Sequence, residues 1–360
     1  MKKNNSKFII ISLYQSFPSY HGASDISFNL FRVWPNRNIS LIQTSIKKNK
    51  TYKKIISVKK RNGFWGFIIN IFQTVLISKK LFLNFQKKII IIEGAIWAGY
   101  SLILLVIAKL FINNVEIIYH GHNLEYEVRK KKNSFYISFL TFYFEKLLYK
   151  FSYGSTVSLR DHYFVKKYYK EKSRIFNNGV LKEKSIKPKN LNIKKKKFIF
   201  YCGSYTYWPN KIAIDRIVQN KDMIFKILKN YKIIFTGEQL PKFKDKNLIN
   251  LGVVKKENLA WLYKNCFFFY APLPFAPGTK IKIIEALTYN AKLICTRHAM
   301  VGINKIFNKN LVHLITKNNL VSLIKKIKND NLNKKNLKFE NYYNFRKITK
   351  KFYDEFKKNN

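Results

Sequence analysis

The segment Gly278-Thr279-Lys280-Ile281-Lys282-Ile283-Ile284-Glu285-Ala286-Leu287 gathers residue types that can handle an anion. It follows an apolar run ending at Tyr270 and a proline-rich loop, so the pattern predicts a helix beginning near Gly278-Thr279. The first turn of such a helix has unpaired backbone N–H groups and the positive end of the helix dipole, which together favour a phosphate. On a helical period Gly278, Lys282 and Glu285 share one face, while Ile281, Ile284 and Leu287 form another that packs on a sheet. A phosphate at the helix start with a carboxylate deeper along it suits a nucleotide: diphosphate on the amides, ribose hydroxyls on Glu285. An ordinary amphipathic helix with a solvated Lys282–Glu285 pair fits the same spacing.

His122, just past an apolar run, is the candidate catalytic residue, because an imidazole there can hydrogen-bond a substrate hydroxyl or assist a departing phosphate. The plain alternative is a core or helix-entry histidine, with Asn123 as N-cap and Glu125 and Glu127 in the first turn. His120, two residues earlier, would point to the same side of a strand and is the weaker candidate. His21 beside Gly22 reads as a loop residue, and His162, His298 and His313 read as structural or surface residues. Asp161 and Asn210 read as helix-capping residues, and Lys211 is either a charge offered to a diphosphate or part of a solvated face. There is no D-x-D, no G-x-x-x-x-G-K-[ST] and no H-E-x-x-H in the chain. No metal and no cofactor are therefore expected, and leaving-group charge falls to the helix dipole with Lys280 and Lys282.

The elements that must position these residues follow from periodicity. Short apolar runs alternate with helical periodicity throughout, which predicts an α/β chain of parallel strands. Strands are expected at Phe8–Leu13, Ile39–Gln43, Ile89–Ile92, Glu116–Tyr119, Ser155–Val157 and Arg174–Phe176, with helices near 24–34, 64–83, 99–112, 134–150 and 161–169. After a Lys- and Asn-rich stretch the pattern restarts. Strands are expected at Phe198–Tyr201, Lys232–Thr236, Leu248–Val254, Cys266–Tyr270 and Lys292–Thr296, and helices at Pro209–Val218, Glu257–Lys264, Thr279–Tyr289 and Glu340–Lys358. The expected organisation is a Rossmann-like domain over 1–180, a linker over 181–197, a second Rossmann-like domain over 198–339, and a terminal helix over 340–360. Ligands of such folds sit at the carboxyl ends of the strands, so a cleft between two facing halves is the default site.

At 360 residues, 47% hydrophobic and 16% aromatic, the chain is too rich in core-forming residues for a disordered basic tail. Cys202, Cys266 and Cys295 stand singly in apolar runs, which excludes a disulfide framework and a cysteine zinc cluster. Lys and Arg number 69 against 19 Asp and Glu, a formal charge of +50. Such a charge suits an anionic membrane or a nucleic acid. Only nine of the basic residues are Arg, whereas base readers lean on the planar guanidinium, so no nucleic-acid partner is expected. The abundance of Lys, Asn, Ile, Phe and Tyr also fits AT-biased coding. The N-terminal run Phe8–Ile11 is too short for a signal peptide, and Glu93-Gly94 interrupts the apolar tract 89–112. The expected location is cytoplasmic, with a peripheral association at the inner face of the cell membrane as an option.

Four stretches, in order, resemble the motifs of glycosyltransferases with the two-domain GT-B fold, most closely glycosyltransferase family 4 and its relatives. His122-Asn123-Leu124-Glu125-Tyr126-Glu127 is similar to H-N-x-E-Y-E; Val157-Ser158-Leu159-Arg160-Asp161, then Asn178-Gly179-Val180, to V-S-x-x-D and P-N-G-V. Gly203-Ser204 through Pro209-Asn210 is similar to G-S-x-x-x-x-P-N, and Gly278-Thr279-Lys280-x-Lys282-x-x-Glu285-Ala286 to the donor segment. The chain has Pro277 where relatives carry a first carboxylate, Lys280 where Arg is usual, Asn177 in place of proline, and one glycine, Gly22, in the first loop. The resemblance implies transfer of a sugar from a nucleotide-diphosphate donor, with retention, to an acceptor such as a lipid-linked or cell-surface glycan. It places the sugar against His122 and the donor on Gly22, Ser204, Lys211, Gly278, Thr279, Lys280, Lys282 and Glu285, and it crosses the last helix back to the first domain. The competing reading is a non-catalytic protein docked on anionic lipid through Phe64, Trp65 and Phe67 beside Lys59-Lys60-Arg61.

Overall fold

A computed structural model describes residues 6–18, 22–46, 49, 51–132, 135–189, 191–274, 278–316, 319–329 and 336–358. Two compact units emerge. The first comprises the described residues up to Asn178 together with Gly278, Thr279 and the chain from Phe345; the second comprises the remainder from Gly179 to Asn344.

The first unit runs β1 (Ser6–Ser12), α1 (Gly22–Val33), β2 (Ile39–Ser45), β3 (Ile55–Lys59), α2 (Gly63–Leu81), β4 (Lys87–Gly94), α3 (Ala98–Phe111) and β5 (Val115–Gly121). It continues through α4 (Glu125–Lys132), α5 (Phe135–Phe151), β6 (Tyr153–Thr156), α6 (Leu159–Phe164) and β7 (Arg174–Ile175). The strands form one parallel sheet in the order β3-β2-β1-β4-β5-β6-β7. β1 and β4 read as unbroken apolar runs because helices cover both faces of the sheet. Ile9, Ile11, Ile90 and Ile92 join Ile71, Val75, Leu104 and Leu148 in one core layer under α2, α3 and α5. On the opposite face Phe8 meets Trp34 at 5.2 Å. Strand order reverses between β1 and β4, the position where folds of this kind take ligands.

The second unit runs β8 (Phe198–Cys202), α7 (Trp208–Gln219), α8 (Lys221–Ile227), β9 (Lys232–Thr236), β10 (Leu248–Asn250), α9 (Lys256–Asn265) and β11 (Phe268–Ala271). Then come α10 (Ile281–Thr288), β12 (Leu293–Cys295), β13 (Val312–Leu314), α11 (Leu320–Asn329) and α12 (Leu337–Tyr342). Its parallel sheet has the order β10-β9-β8-β11-β12-β13. The stretch 181–197 contains no helix or strand among its described residues, and Leu191 is buried in the second unit's core.

The final helix, α13 (Phe345–Lys358), belongs to the first unit. Phe345, Thr349, Phe352, Tyr353 and Phe356 line its buried stripe, with Phe352 stacked on Phe176 at 4.3 Å and Tyr353 5.7 Å from Phe8. The sequence pattern predicts one helix from Glu340, but helical geometry is interrupted at Tyr343-Asn344. The Val180 N–H donates to the Tyr343 carbonyl at 2.8 Å, so that carbonyl serves a strand-like bridge.

β3, α4, α8, β13 and α11 are elements that periodicity did not mark. α4 shows why: Glu-Tyr-Glu-Val-Arg-Lys-Lys-Lys has almost no apolar stripe. Its start is instead held from a distance. The buried Glu145 of α5 accepts the backbone N–H groups of Glu125 and Tyr126, each at 2.8 Å, and the Tyr169 hydroxyl at 2.7 Å. Burial pushes the Glu145 carboxyl up to about 8 despite these donors.

Candidate active site

The carboxyl ends of β4 and β5 bring together Glu93, His120 and His122. Parallel register places Glu93 directly beside His120. Its Oε1 lies 3.1 Å from His120 Nδ1, and its Oε2 lies 2.8 Å from His122 Nε2. Ser27 of α1 donates to Oε2 at 2.5 Å, and the Tyr14 hydroxyl lies 2.7 Å from Ser27 Oγ. Burial by itself would raise the Glu93 carboxyl, but the facing imidazoles hold it below the ordinary carboxylate range. Burial lowers the His120 imidazole, which favours its neutral form. With Glu93 ionised, both histidines donate to it, and this fixes the tautomer of each.

His122 therefore carries its proton on Nε2, and Nδ1 is left as an acceptor with no protein hydrogen bond among the described residues. The His122 side chain is 8% exposed, while the Glu93 side chain beneath it is sealed from solvent. An acceptor nitrogen on a ring locked from behind can receive a hydroxyl proton. Glu93 is the residue that sequence reading missed. Its only signal was a charged residue ending the run Ile89-Ile90-Ile91-Ile92, which had served merely as evidence against a membrane span.

The three donor atoms also lie within 4.8 Å of one another, close enough to share a metal ion. A cation there would have to displace the protons that now join the histidines to the carboxylate.

The rest of the His122 motif builds the surroundings. Glu125 pairs with Arg129 at 2.6 Å, and Glu127 makes a two-pronged pair with Arg160 at 2.5 and 2.8 Å. Asn123 does not cap α4, whose capping acceptor is Glu145. At α6 the cap is Ser158, which accepts the Asp161 N–H at 3.1 Å; Asp161 was expected in that role and sits one turn inside.

Gly278 has φ +67° and belongs to this unit. A Cβ there would come within 3.1 Å of the His122 carbonyl and of Asn123 Cβ, so both backbone and space favour glycine. Thr279 Oγ1 donates to the Val157 carbonyl at 3.4 Å. Gly22 opens α1 and is exposed. His162 bonds Ser173 at 2.9 Å and His313 is buried in β13. His21 and Pro277 lie outside the described residues.

In the second unit, α10 begins at Ile281, with Lys280 as its N-cap residue, rather than at Gly278-Thr279. The left-handed Gly278 interrupts helical geometry there. Lys280 is buried. Lys282 turns inward onto the end of β8, donating to the Cys202 carbonyl at 2.6 Å, Asn210 Oδ1 at 2.7 Å and the Tyr201 hydroxyl at 3.1 Å. A Cβ on Gly203 would lie 2.7 Å from the Lys282 nitrogen, so this glycine makes room for the ammonium. Burial lowers the Lys282 pKa to about 8.

Glu285 accepts the Tyr263 hydroxyl at 2.9 Å and lies 3.7 Å from Lys256. Lys282 and Glu285 are thus built into the unit and do not form the solvated pair. Ser204 bonds Thr206 at 2.7 Å. Lys211 pairs with Asp215 at 3.1 Å on an exposed face and lies over the Tyr205 ring. Nearby, the ends of β11 and β12 border a cavity of about 300 Å³ whose lining includes Arg216, Tyr270, Pro272 and Thr296.

No family model matches the sequence, and no curated protein does. Solved structures do. HepE of Anabaena, in complex with UDP and glucose, superposes with a TM-score of 0.69 at 14% identity, covering 97% of this chain and 99% of that one. A glycosyltransferase from Rickettsia africae matches with a TM-score of 0.60 at 15% identity, covering 98% of each chain. A UDP-GlcNAc 2-epimerase from Methanocaldococcus jannaschii matches at 0.50 and 15%, covering 92% of this chain and 94% of that one. The fold is the GT-B fold, two parallel α/β units with the last helix returned to the first.

Proposed function

We propose that the chain is a glycosyltransferase that moves a sugar from a UDP-sugar to a hydroxyl acceptor with retention of configuration. The observation that carries this reading is the ionised Glu93 locking His122, with an open Nδ1, at the strand-order reversal of the first unit. Complexes of HepE with UDP and glucose support the donor class. In the reaction the bond from the anomeric carbon to the diphosphate breaks, and its electron pair leaves with UDP. The acceptor oxygen bonds to the same face of that carbon and gives its proton to the departing phosphate. His122 accepts a hydroxyl of the donor sugar, Gly278 and Thr279 offer backbone to the diphosphate, Lys280 and Lys282 supply positive charge, and Glu285 receives the ribose. Gly22 at the start of α1 and Ser204 after β8 contribute further contacts, and Lys211 adds charge at the edge. The acceptor is a lipid-linked or cell-surface glycan, and the enzyme works at the cytoplasmic face of a membrane without a nucleic-acid partner.

A melting-temperature screen against UDP-, GDP- and ADP-sugars tests the donor site, since a ligand that binds only the folded state raises the midpoint. UDP-sugars are expected to raise it, and Glu285→Ala is expected to weaken that binding about tenfold by removing a charged acceptor. No shift with any donor would overturn the reading. UDP must also be released when an acceptor is supplied: conversion of UDP-GlcNAc at C2 without release would make the chain an epimerase, and binding without turnover a mere receptor.

Transfer is proposed to need no metal ion. Activity is expected to survive EDTA unchanged. Loss on chelation, restored by a divalent cation and abolished by His120→Gln, would place an ion on Glu93, His120 and His122.

A further inference from the structure

Of the 28 exposed large apolar side chains among the described residues, 15 lie on α2, α3 and α5. These helices are neighbours, with α3 between α2 and α5, and they cover the same face of the first unit's sheet. Along α2 the stripe Trp65, Ile69, Phe72 and Leu76 recurs at helical spacing and faces outward, Trp65 being 75% exposed. Phe72 meets Phe111 of α3 at 5.9 Å, which joins the two stripes. On α5, Phe135, Phe139 and Tyr143 form an aromatic column with ring separations of 6.1 and 4.7 Å. Phe67, expected on this surface from sequence, is instead stacked on Tyr100 at 4.4 Å and anchors α2 to α3.

The exposed charges on the three helices have one sign. α2 carries Lys79 and Lys80, α3 carries Lys109 and α5 carries Lys146 and Lys150. The one carboxylate on the three helices, Glu145, is buried. Lys59, Lys60 and Lys130 flank them, all exposed. A monomer seldom leaves so broad an apolar face open to water. A second copy of this chain would bring the same lysines against them, and like charges with no acidic partner repel. Anionic lipid fits both features: headgroups pair with lysines while tryptophan, tyrosine, phenylalanine and leucine enter the boundary with the acyl chains. Among the described residues no helix is long and apolar enough to cross a membrane.

We infer that the outer face of α2, α3 and α5 is a lipid-docking surface that seats the first unit in the interface of an anionic bilayer. This inference rests on the membrane placement proposed above and deepens it by naming the surface, but it does not depend on sugar transfer, since vesicle binding needs no donor.

The test uses the full chain with two kinds of vesicle, phosphatidylcholine alone and phosphatidylcholine with about one third phosphatidylglycerol. The protein is expected to sediment with the anionic vesicles, and Trp65 emission is expected to shift to the blue as the ring leaves water. The triple variant Trp65→Ser, Leu110→Ser, Tyr136→Ser is expected to bind at least about tenfold more weakly, since only apolar insertion has been removed. Its melting temperature and its response to UDP-sugar should match the parent, because all three side chains are exposed. Equal vesicle binding by parent and variant would overturn the inference, reducing the attraction to nonspecific positive charge. No binding to either vesicle would also overturn it. Dimerisation that the variant abolishes, without vesicle binding, would assign the face to a second copy.

Discussion

Glu93→Gln is expected to lower transfer about a hundredfold, mostly through kcat, although Glu93 itself touches no substrate. The size follows from tautomer and ring control, because misplacing a group that orients the substrate by about 1 Å can cost about a hundredfold. An amide oxygen can accept from only one side of the network, and the amide NH2 would face an imidazole N–H or the Ser27 hydroxyl. His122 would then be free to turn, or to move its proton to Nδ1 and lose the acceptor. Glu93 is a positioning residue, so its effect must run through His122. Adding Glu93→Gln to His122→Asn should cost far less than in the parent, and full additivity would show that Glu93 acts some other way. Stability should fall as well, by about 1–3 kcal/mol, the cost of leaving buried donors unpaired. The acid limb gives an independent check. Because the Glu93 carboxyl is depressed, the stability it supplies is complete above its ordinary value of 4.5 and drains as pH falls below that. The lowered His120 adds to this from its ordinary 6.5 downward, since there the unfolded chain binds a proton that the folded chain refuses. Glu93→Gln should unfold with a shallower dependence on acid than the parent, which denaturant titrations across that range would read.

Lys282→Met is expected to weaken UDP binding by about 10- to 100-fold. All three protons of this ammonium already have protein acceptors, in Tyr201, Cys202 and Asn210. The service to a diphosphate proposed for it is therefore the field of its charge; two unit charges about 8 Å apart attract by about 2 kcal/mol at an effective dielectric of about 20. A pKa lowered to about 8 ties that field to pH. UDP affinity of the parent should decline as pH rises through about 8, with bound diphosphate moving the break upward, and the methionine variant should show no such limb. Stability runs the other way. Between about 8 and 10.5 the unfolded chain holds the proton and the folded chain does not, so this group makes the parent more stable as pH rises through that window. If Lys282→Met binds UDP as tightly as the parent at every pH, the residue is a strut between α10 and β8. Calorimetric titration with UDP decides between the two.

Much of the architecture was legible from residue pattern. Apolar runs such as Ile89–Ile92 and helical periodicity such as that near 64–83 depend on neighbours a few positions away, so strands, helices and the parallel α/β class could be read along the chain. Some elements escaped, two of them because their stripes are weak. α4 has almost none and is fixed by Glu145, twenty positions from the N–H group it accepts. The edge strand β3 buries only Ile55 and Val58.

Residue types also marked His122, Lys282 and Glu285, and the charge of +50 suggested anionic partners. Tertiary structure decided what those residues touch. Register between β4 and β5 joined Glu93 to His120 and His122, contacts 27 and 29 positions apart in sequence. The approach of α10 to the end of β8 turned Lys282 inward, 72 to 81 positions from its acceptors, and explained Gly203. The alignment of α2, α3 and α5 on one side of a sheet merged three separate stripes into one face with lysines around it. Periodicity is a local property of the chain and can be counted from it. Hydrogen bonds across a parallel sheet depend on crossover direction and strand register, which arise only when the whole core packs.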